Sequence, residues 1–358
     1  MARYKFLELS GDLKTKINNF KLPEKLDFGQ VLTPIMIVSN YKDGEWEPAR
    51  ILPYGPFQID PSAKALHYGQ QIFEGMKAYK PSSHQTPHLF RPLANYERFN
   101  RSAERMAMPS IPEDIFMQSV ESITHHLSSL IPSKDGESLY LRPFMIATQK
   151  GLGLSCSTEY IFSVIACPVG NIFTSNNVKV FIERDCCRAV RGGTGAAKVA
   201  GNYGASVYAT TMSKKRGFDQ TMWLDGLDRK YIEELSGMNV FVVINGELHT
   251  PSLNQETILP GITRDSVIQM AARLNIKVHE VKIDIDDVLS KIKSGNCTEM
   301  FACGTASLIT PIALLGEKDG ATYQLRHAYG PITKQLRDIL IDIHMRRVEA
   351  PAGWIYEV

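Results

Sequence analysis

Residues 191–204, Arg-Gly-Gly-Thr-Gly-Ala-Ala-Lys-Val-Ala-Gly-Asn-Tyr-Gly, limit how this chain can fold more than any other stretch. Nearly all of them are small, so the backbone can come close to something flat and bulky. A single lysine, Lys198, sits among them, followed by the phenol of Tyr203. Desolvation in such a setting favours a lysine's neutral, nucleophilic amine. A phosphate-binding P-loop is excluded, because it needs glycine directly before the lysine and Ser or Thr directly after it. Ala197 and Val199 stand there instead. A glycine-rich surface loop around a solvated lysine has the same appearance, and the stretch alone leaves both readings open.

The chain has 358 residues, enough for two domains with sizeable cores. Its formal net charge of +2, with no block of like charges, argues against nucleic acid or a membrane surface as partner. No apolar run approaches the ~20 residues of a membrane helix. Charges break up the N-terminal segment, and no signal-peptide core is present, so a cytoplasmic location is expected. Cys156, Cys167, Cys186, Cys187, Cys297 and Cys303 have neither zinc-site nor Cys-x-x-Cys spacing, and read as reduced, mostly core residues. No metal is expected.

The pattern along the chain is mixed α/β. Residues 31–39 read as a strand, leading through Asp43-Gly44 to a second stretch near 50–52 as a hairpin. Residues 93–106 space Leu93, Tyr96, Phe99 and Met106 at helical intervals among charges. The arginines of this helix suit a solvated face, with pairs such as Glu97 and Arg101. Residues 115–130 give a second helix, with His125 and His126 on its surface. Residues 139–148 and 159–169 read as strands, and Arg142 inside the first is a charge that must be paired or functional. Gly151-Leu-Gly153 starts a dinucleotide fingerprint, but Cys156 occupies the third glycine position. A polar, turn-rich segment then separates two apolar strands. It divides the chain into a domain over 1–168, a linker over 169–177 and a domain over 178–358. In the second domain, strands are expected at 178–183, 220–224, 277–283 and 299–303. Helices are expected at 204–216, 263–274, 285–292 and 330–346. Asn245-Gly246 signals a type I′ hairpin within 239–249.

Lys198, Gly201, Asn202, Tyr203 and Gly204 form a Lys-x-x-Gly-Asn-Tyr-Gly block. It resembles the Schiff-base lysine region of the branched-chain amino acid aminotransferases, pyridoxal 5′-phosphate enzymes of fold type IV. The resemblance recurs in order along the chain. The segment from Leu66 to Tyr79 is similar to the one whose Tyr68 and Phe73 line the substrate pocket. Asn-Tyr-Glu-Arg-Phe-Asn-Arg-Ser marks Arg98 as the arginine reaching the cofactor phosphate, a task that suits its planar fork. Tyr140 and Arg142 match a Tyr-x-Arg pair at the edge of the site, with Arg142 meeting the distal carboxylate of glutamate or 2-oxoglutarate. Glu234 matches the carboxylate facing the pyridine nitrogen, although an adjacent glutamate pair by itself reads as a solvated turn. Pro260-Gly261-Ile262-Thr263-Arg264 opens a helix, whose N-terminal amides at Ile262 and Thr263 suit a phosphate. Gly304-Thr305-Ala306 resembles the family turn in which Thr305 completes the phosphate cradle and Ala306 offers its amide to the substrate carboxylate. Phe28 joins the apolar pocket.

The resemblance implies a two-domain fold type IV enzyme. Its N-terminal α/β domain is the smaller, and its C-terminal domain has a barrel-like core flanked by helices. It also implies transfer of the amino group of L-leucine, L-isoleucine or L-valine to 2-oxoglutarate in two half-reactions, by a homodimer. Alternatives on the same fold are a D-amino acid transaminase, an aminodeoxychorismate lyase or a non-catalytic binding protein. The chain departs from the family in two places. Ser236-Gly237-Met238-Asn239 lacks the usual threonine, and Ser307-Leu-Ile-Thr310 replaces the Cys-x-x-Cys of mammalian members.

Overall fold

The computed structural model of the chain describes residues 3–84, 86–170 and 178–358. They divide into two compact units. One takes in the described residues up to 170 together with Lys198–Ala200 and Ile341–Val358. The other takes in the described residues from Val178 to Ala197 and Gly201–Leu340. Of the expected linker, Val169 lies in a strand, and 171–177 fall outside the described residues.

The first unit runs α1 (Gly11–Asn19), β1 (Ile35–Lys42), β2 (Glu45–Trp46), β3 (Arg50–Pro53), α2 (Lys64–Tyr68), β4 (Gln71–Phe73), β5 (Met76–Tyr79) and β6 (His88–Phe90). It continues through α3 (Pro92–Arg105), α4 (Glu113–His126), β7 (Ser138–Ala147) and β8 (Tyr160–Val169). Strands β7 and β8 pair antiparallel over their whole length, from Ser138↔Val169 to Ala147↔Tyr160. Their Val, Ile and Phe content suits a pleated surface covered on both faces. The sheet order is β18-β6-β5-β7-β8-β1-β2, with β3 on β1 and β4 on β7; β18 (Ile355–Glu357) closes one edge. Helix α3 starts on Pro92, where a missing N–H costs nothing. Its Phe99 packs 5.5 Å from Phe116 of α4 and 5.7 Å from Phe162 of β8, seating both helices on the sheet. His125 and His126, expected on the surface, carry the N-terminal segment. Phe6 stacks on His125 at 3.9 Å, and His126 Nε2 lies 2.8 Å from the Leu7 carbonyl.

The second unit runs β9 (Val178–Glu183), α5 (Ala200–Lys215), β10 (Gln220–Leu224), β11 (Ile232–Leu235), β12 (Asn239–Ile244), β13 (Glu247–Pro251) and α6 (Ile262–Arg273). It ends with β14 (Val278–Val281), α7 (Ile285–Ser294), β15 (Cys297–Gly304), β16 (Leu308–Gly316), β17 (Thr322–Gln324) and α8 (Pro331–His344). The strand order is β11-β10-β9-β16-β15-β12-β13-β14, with β17 on β16. Asn245 and Gly246 both take positive φ, 51° and 79°, as a type I′ hairpin requires. Ile285, Val288, Leu289 and Ile292 of α7 pack into the core with Val180, Val240, Val242 and Ile312. Helix α5 begins at Ala200 rather than at 204. Gly201 and Gly204 disfavour a helix by propensity, but side-chain bonds from Asn202 anchor its first turn.

Candidate active site

In the first unit, Lys198 is held by its backbone. The Phe73 N–H donates to the Lys198 carbonyl at 3.1 Å, the Lys198 N–H donates to Ser102 Oγ at 2.9 Å, and Val199 bridges Ile72. The small residues around the lysine permit this close approach to β4 and α3. Lys198 Nζ then lies 4.6 Å from the centroid of the Phe73 ring. The Arg142 guanidinium carbon lies 4.7 Å from that same ring and 5.3 Å from the Tyr140 ring. Tyr140 OH accepts from Arg142 Nη2 at 3.1 Å, while Arg142 Nε is buried without a hydrogen-bond partner. Phe28 packs edge-on against Tyr140 at 4.8 Å. An amine, a guanidinium and three aromatic rings therefore form one group. A Cβ at Gly75 would come within 1.9 Å of Tyr140 OH, so glycine is required beside the phenol.

Beneath this group lies a buried ion pair absent from the sequence reading. Arg98 spends Nε and Nη2 on Glu74 in a fork at 2.7 and 2.9 Å. Asn95 Nδ2 adds a bond to Glu74 at 2.7 Å. Burial alone would push the Glu74 carboxyl up, but Arg98 and then Lys198 hold it below the usual carboxylate range. Glu74 thus fixes the plane of Arg98 and contributes negative charge facing Lys198.

The second unit holds a cleft lined by Arg188, Gly195, Ala197, Asn202, Tyr203, Glu234, Ser236 and Leu259. Glu234 sits on β11 and is only 5% exposed, not in a solvated turn. Arg188 Nε lies 3.1 Å from Glu234 Oε1, and Oε2 accepts from the Leu259 N–H and Asn239 Nδ2, each at 3.2 Å. Asn239 also donates to the Leu259 carbonyl at 3.0 Å, tying Glu234 to the loop that enters α6. That loop is tight, since a Cβ on Gly261 would meet Asn239 Oδ1 at 1.9 Å. Helix α6 opens on Gly261 without a side-chain cap, and Ile262 and Thr263 at its start are buried. The loop before Lys198 is pinned by Asn202, which donates to the Thr194 and Ala197 carbonyls at 2.8 and 3.0 Å. A Cβ on Gly195 would strike the Thr257 carbonyl oxygen at 2.4 Å.

Within this unit lie a buried, matched carboxylate and, just beyond Leu259, a helix N-terminus with no side-chain cap. That donor set fits a flat group with a basic ring nitrogen and a phosphate arm. Ser236, which stands in the departure from the family pattern, is held by Trp223 Nε1 at 3.1 Å and Thr210 Oγ1 at 2.9 Å. Thr305 and Ala306 occupy the tight turn between the antiparallel strands β15 and β16. Leu308 just beyond takes a positive φ of 56°.

Tyr68, like Phe28, is exposed to solvent, unlike Tyr140. It is 40% exposed and its hydroxyl donates to the Leu152 carbonyl. All six cysteines are free thiols; Cys167, Cys297 and Cys303 are buried, and Cys156 is exposed. The residues that sequence reasoning passed over are Glu74, Asn95, Arg188 and Asn239. Glu74 did carry a signal, as a charge between Phe73 and Gly75-Met76 in an otherwise small and apolar run.

The class IV amino-transferase family model matches residues 71–315. The chain is 40% identical over 340 residues to branched-chain-amino-acid transaminase 1 of Bacillus subtilis, covering 94% of this chain and 95% of the relative. It is 43% identical over 336 residues to the branched-chain-amino-acid aminotransferase of Mycolicibacterium smegmatis, covering 92% and 91%. Among solved structures, the branched-chain amino acid aminotransferase of Escherichia coli superposes with a TM-score of 0.71 at 27% identity, over 88% of this chain and 97% of that one. The branched-chain aminotransferase of the thermophilic archaeon Thermoproteus uzoniensis, solved with norvaline, matches with a TM-score of 0.72 at 26% identity, covering 89% and 98%.

Proposed function

The chain belongs to the class IV aminotransferases and, within them, to the branched-chain-amino-acid aminotransferases. From that premise we propose that it moves the amino group of L-leucine, L-isoleucine or L-valine to 2-oxoglutarate with pyridoxal 5′-phosphate, working as a homodimer. The observation that carries the substrate reading is the single guanidinium, Arg142, set among Phe73, Tyr140 and Phe28. A branched apolar side chain suits the rings, and the second carboxylate of glutamate suits the guanidinium.

When bound, the cofactor supplies the electron sink that makes a substrate Cα proton acidic. The chain supplies the rest. Lys198 Nζ takes the proton from the Cα of the first amino acid and returns one to the Cα of the second. Its neighbours, the Phe73 ring and the Glu74–Arg98 pair, hold the amine in place between these transfers. Glu234, matched by Arg188, holds a proton on the pyridine nitrogen, and Tyr203 donates to the phenolic oxygen. The Ile262 and Thr263 amides, Thr305 and Arg98 bind the phosphate, and Glu74 orients Arg98. The Ala306 amide receives the substrate carboxylate. Tyr68, with its exposed ring, lines the substrate pocket.

Replacing Arg142 with Leu tests the substrate reading. Glutamate turnover should fall by roughly 10-fold or more, the worth of a lost charged hydrogen bond, while leucine turnover changes little. Equal losses for both donors would overturn the assignment.

A further inference from the structure

On the second unit, a group of side chains outside this site has the makings of a metal centre. Strands β13 and β14 run parallel, with His249 directly opposite His279 in register. Glu247 is two residues before His249, so both project from the same face of β13, while Leu248 between them is fully buried. Three strong ligands thus share one half-exposed face of two neighbouring strands. The imidazole rings stack at 4.6 Å, 18° from parallel. His279 Nε2 lies 2.7 Å from Glu247 Oε2. One donor atom from each of the three side chains lies within 4.8 Å of those of the other two.

We infer that Glu247, His249 and His279 bind a divalent transition-metal ion of the zinc type. Two imidazoles and one carboxylate, with the remaining position open to water, form a donor set that zinc accepts. Around a tetrahedral ion with bonds of about 2 Å the donors stand about 3.3 Å apart. The present donors bracket that spacing, with one pair at 2.7 Å and all within 4.8 Å, on strands already fixed in register. The tautomer of one ligand is also set. His249 Nδ1 lies 3.3 Å from the Glu247 carbonyl oxygen, which can only accept, so Nδ1 carries the proton and Nε2 the lone pair. Lys277, 3.4 Å from Glu247 Oε1, steadies the carboxylate from the other side.

Strand β14 is at the sheet edge, with β13 as its sheet partner. A bound ion would tie the two together without touching the aminotransferase site. The test is calorimetric titration of chelator-treated holoenzyme with ZnCl2, alongside the single variants His249→Ala and His279→Ala and the double variant. The expected result is one equivalent bound per chain and a raised Tm. Affinity should fall by more than about 10-fold in each single variant and vanish in the double. Leucine turnover should be unchanged in all of them, which shows that the variants fold. Absence of zinc binding by the unaltered protein would overturn the inference. So would binding that survives in the double variant, because the exposed Cys156 or another group would then be the ligand.

Discussion

Glu233 and Glu234 are adjacent on β11 and project to opposite faces, and their surroundings give them opposite roles. Glu234 meets Arg188, Asn239 and the Leu259 amide. Glu233 is buried with Oε2 lacking a hydrogen-bond partner. Its burial, opposed by Thr257 and then Arg188 and reinforced by Glu234 and Asp225, pushes its carboxyl up to about 7. A raised carboxyl binds its proton more tightly in the folded chain. The stability it allows is therefore full below its ordinary range and is lost as pH rises towards 7. Replacing Glu233 with Gln should leave turnover intact and raise the unfolding free energy from urea titration more at pH 8 than at pH 5, by on the order of 1–3 kcal/mol. Replacing Glu234 with Gln should instead lower kcat by about 100-fold or more, with little pH-dependent gain in stability. Identical responses from the two variants would contradict this division. The sequence shows two adjacent glutamates, which alone read as a solvated turn. Only the family register picks out Glu234, and nothing local reveals that β11 is buried on both faces.

The elements carrying the site were legible where their apolar period is regular and illegible where tertiary contacts override it. The strands at 139–148 and 159–169 were expected and appear as β7 and β8, each ten residues long. Strand β16 was not anticipated, because Pro311 interrupts its apolar run and no alternation marks it. Helix α5 starts early through Asn202, a contact that propensity cannot register. Glu74 escaped notice because its partners, Asn95 and Arg98, stand 21 and 24 residues further along the chain, beyond two strands. The loop into α6 offers a test at this scale. Gly261→Ala drives a methyl into Asn239 Oδ1, 1.9 Å from the new carbon. Asn239 must move, releasing both Glu234 and the Leu259 carbonyl. The variant should lose about 1–3 kcal/mol of stability and bind pyridoxal 5′-phosphate more weakly, as read by equilibrium dialysis. Unchanged cofactor affinity would separate that loop from the phosphate end.

For the molecule as a whole, the acid limit of stability is set away from the site. His88 is fully buried, and burial pushes its imidazole down to about 4. His344 is buried against Tyr79 at 4.5 Å with both ring nitrogens lacking hydrogen-bond partners, and burial holds it well below its ordinary value. Both stay neutral in the folded chain, whereas the unfolded chain takes up protons below about pH 6.5. Stability is therefore full above that value and falls as the pH drops towards 4. His344→Phe keeps the stacking, removes one of the two groups, and should flatten the loss of urea midpoint between pH 6.5 and 4. An unchanged slope would place acid sensitivity elsewhere. Among the described residues no helix is long and apolar enough to cross a membrane.

The chain crosses between its two units around Lys198. It leaves the second unit for three residues, Lys198–Ala200, which belong to the first, and the amine proposed for transamination is carried there. The visible absorption spectrum of the protein loaded with pyridoxal 5′-phosphate tests this most directly, with L-leucine and then 2-oxoglutarate added, beside Lys198→Ala. The account predicts a visible band that L-leucine abolishes and 2-oxoglutarate restores, and no such cycle in the variant. A protein that acquires no band with the cofactor, or a band indifferent to L-leucine, would contradict it.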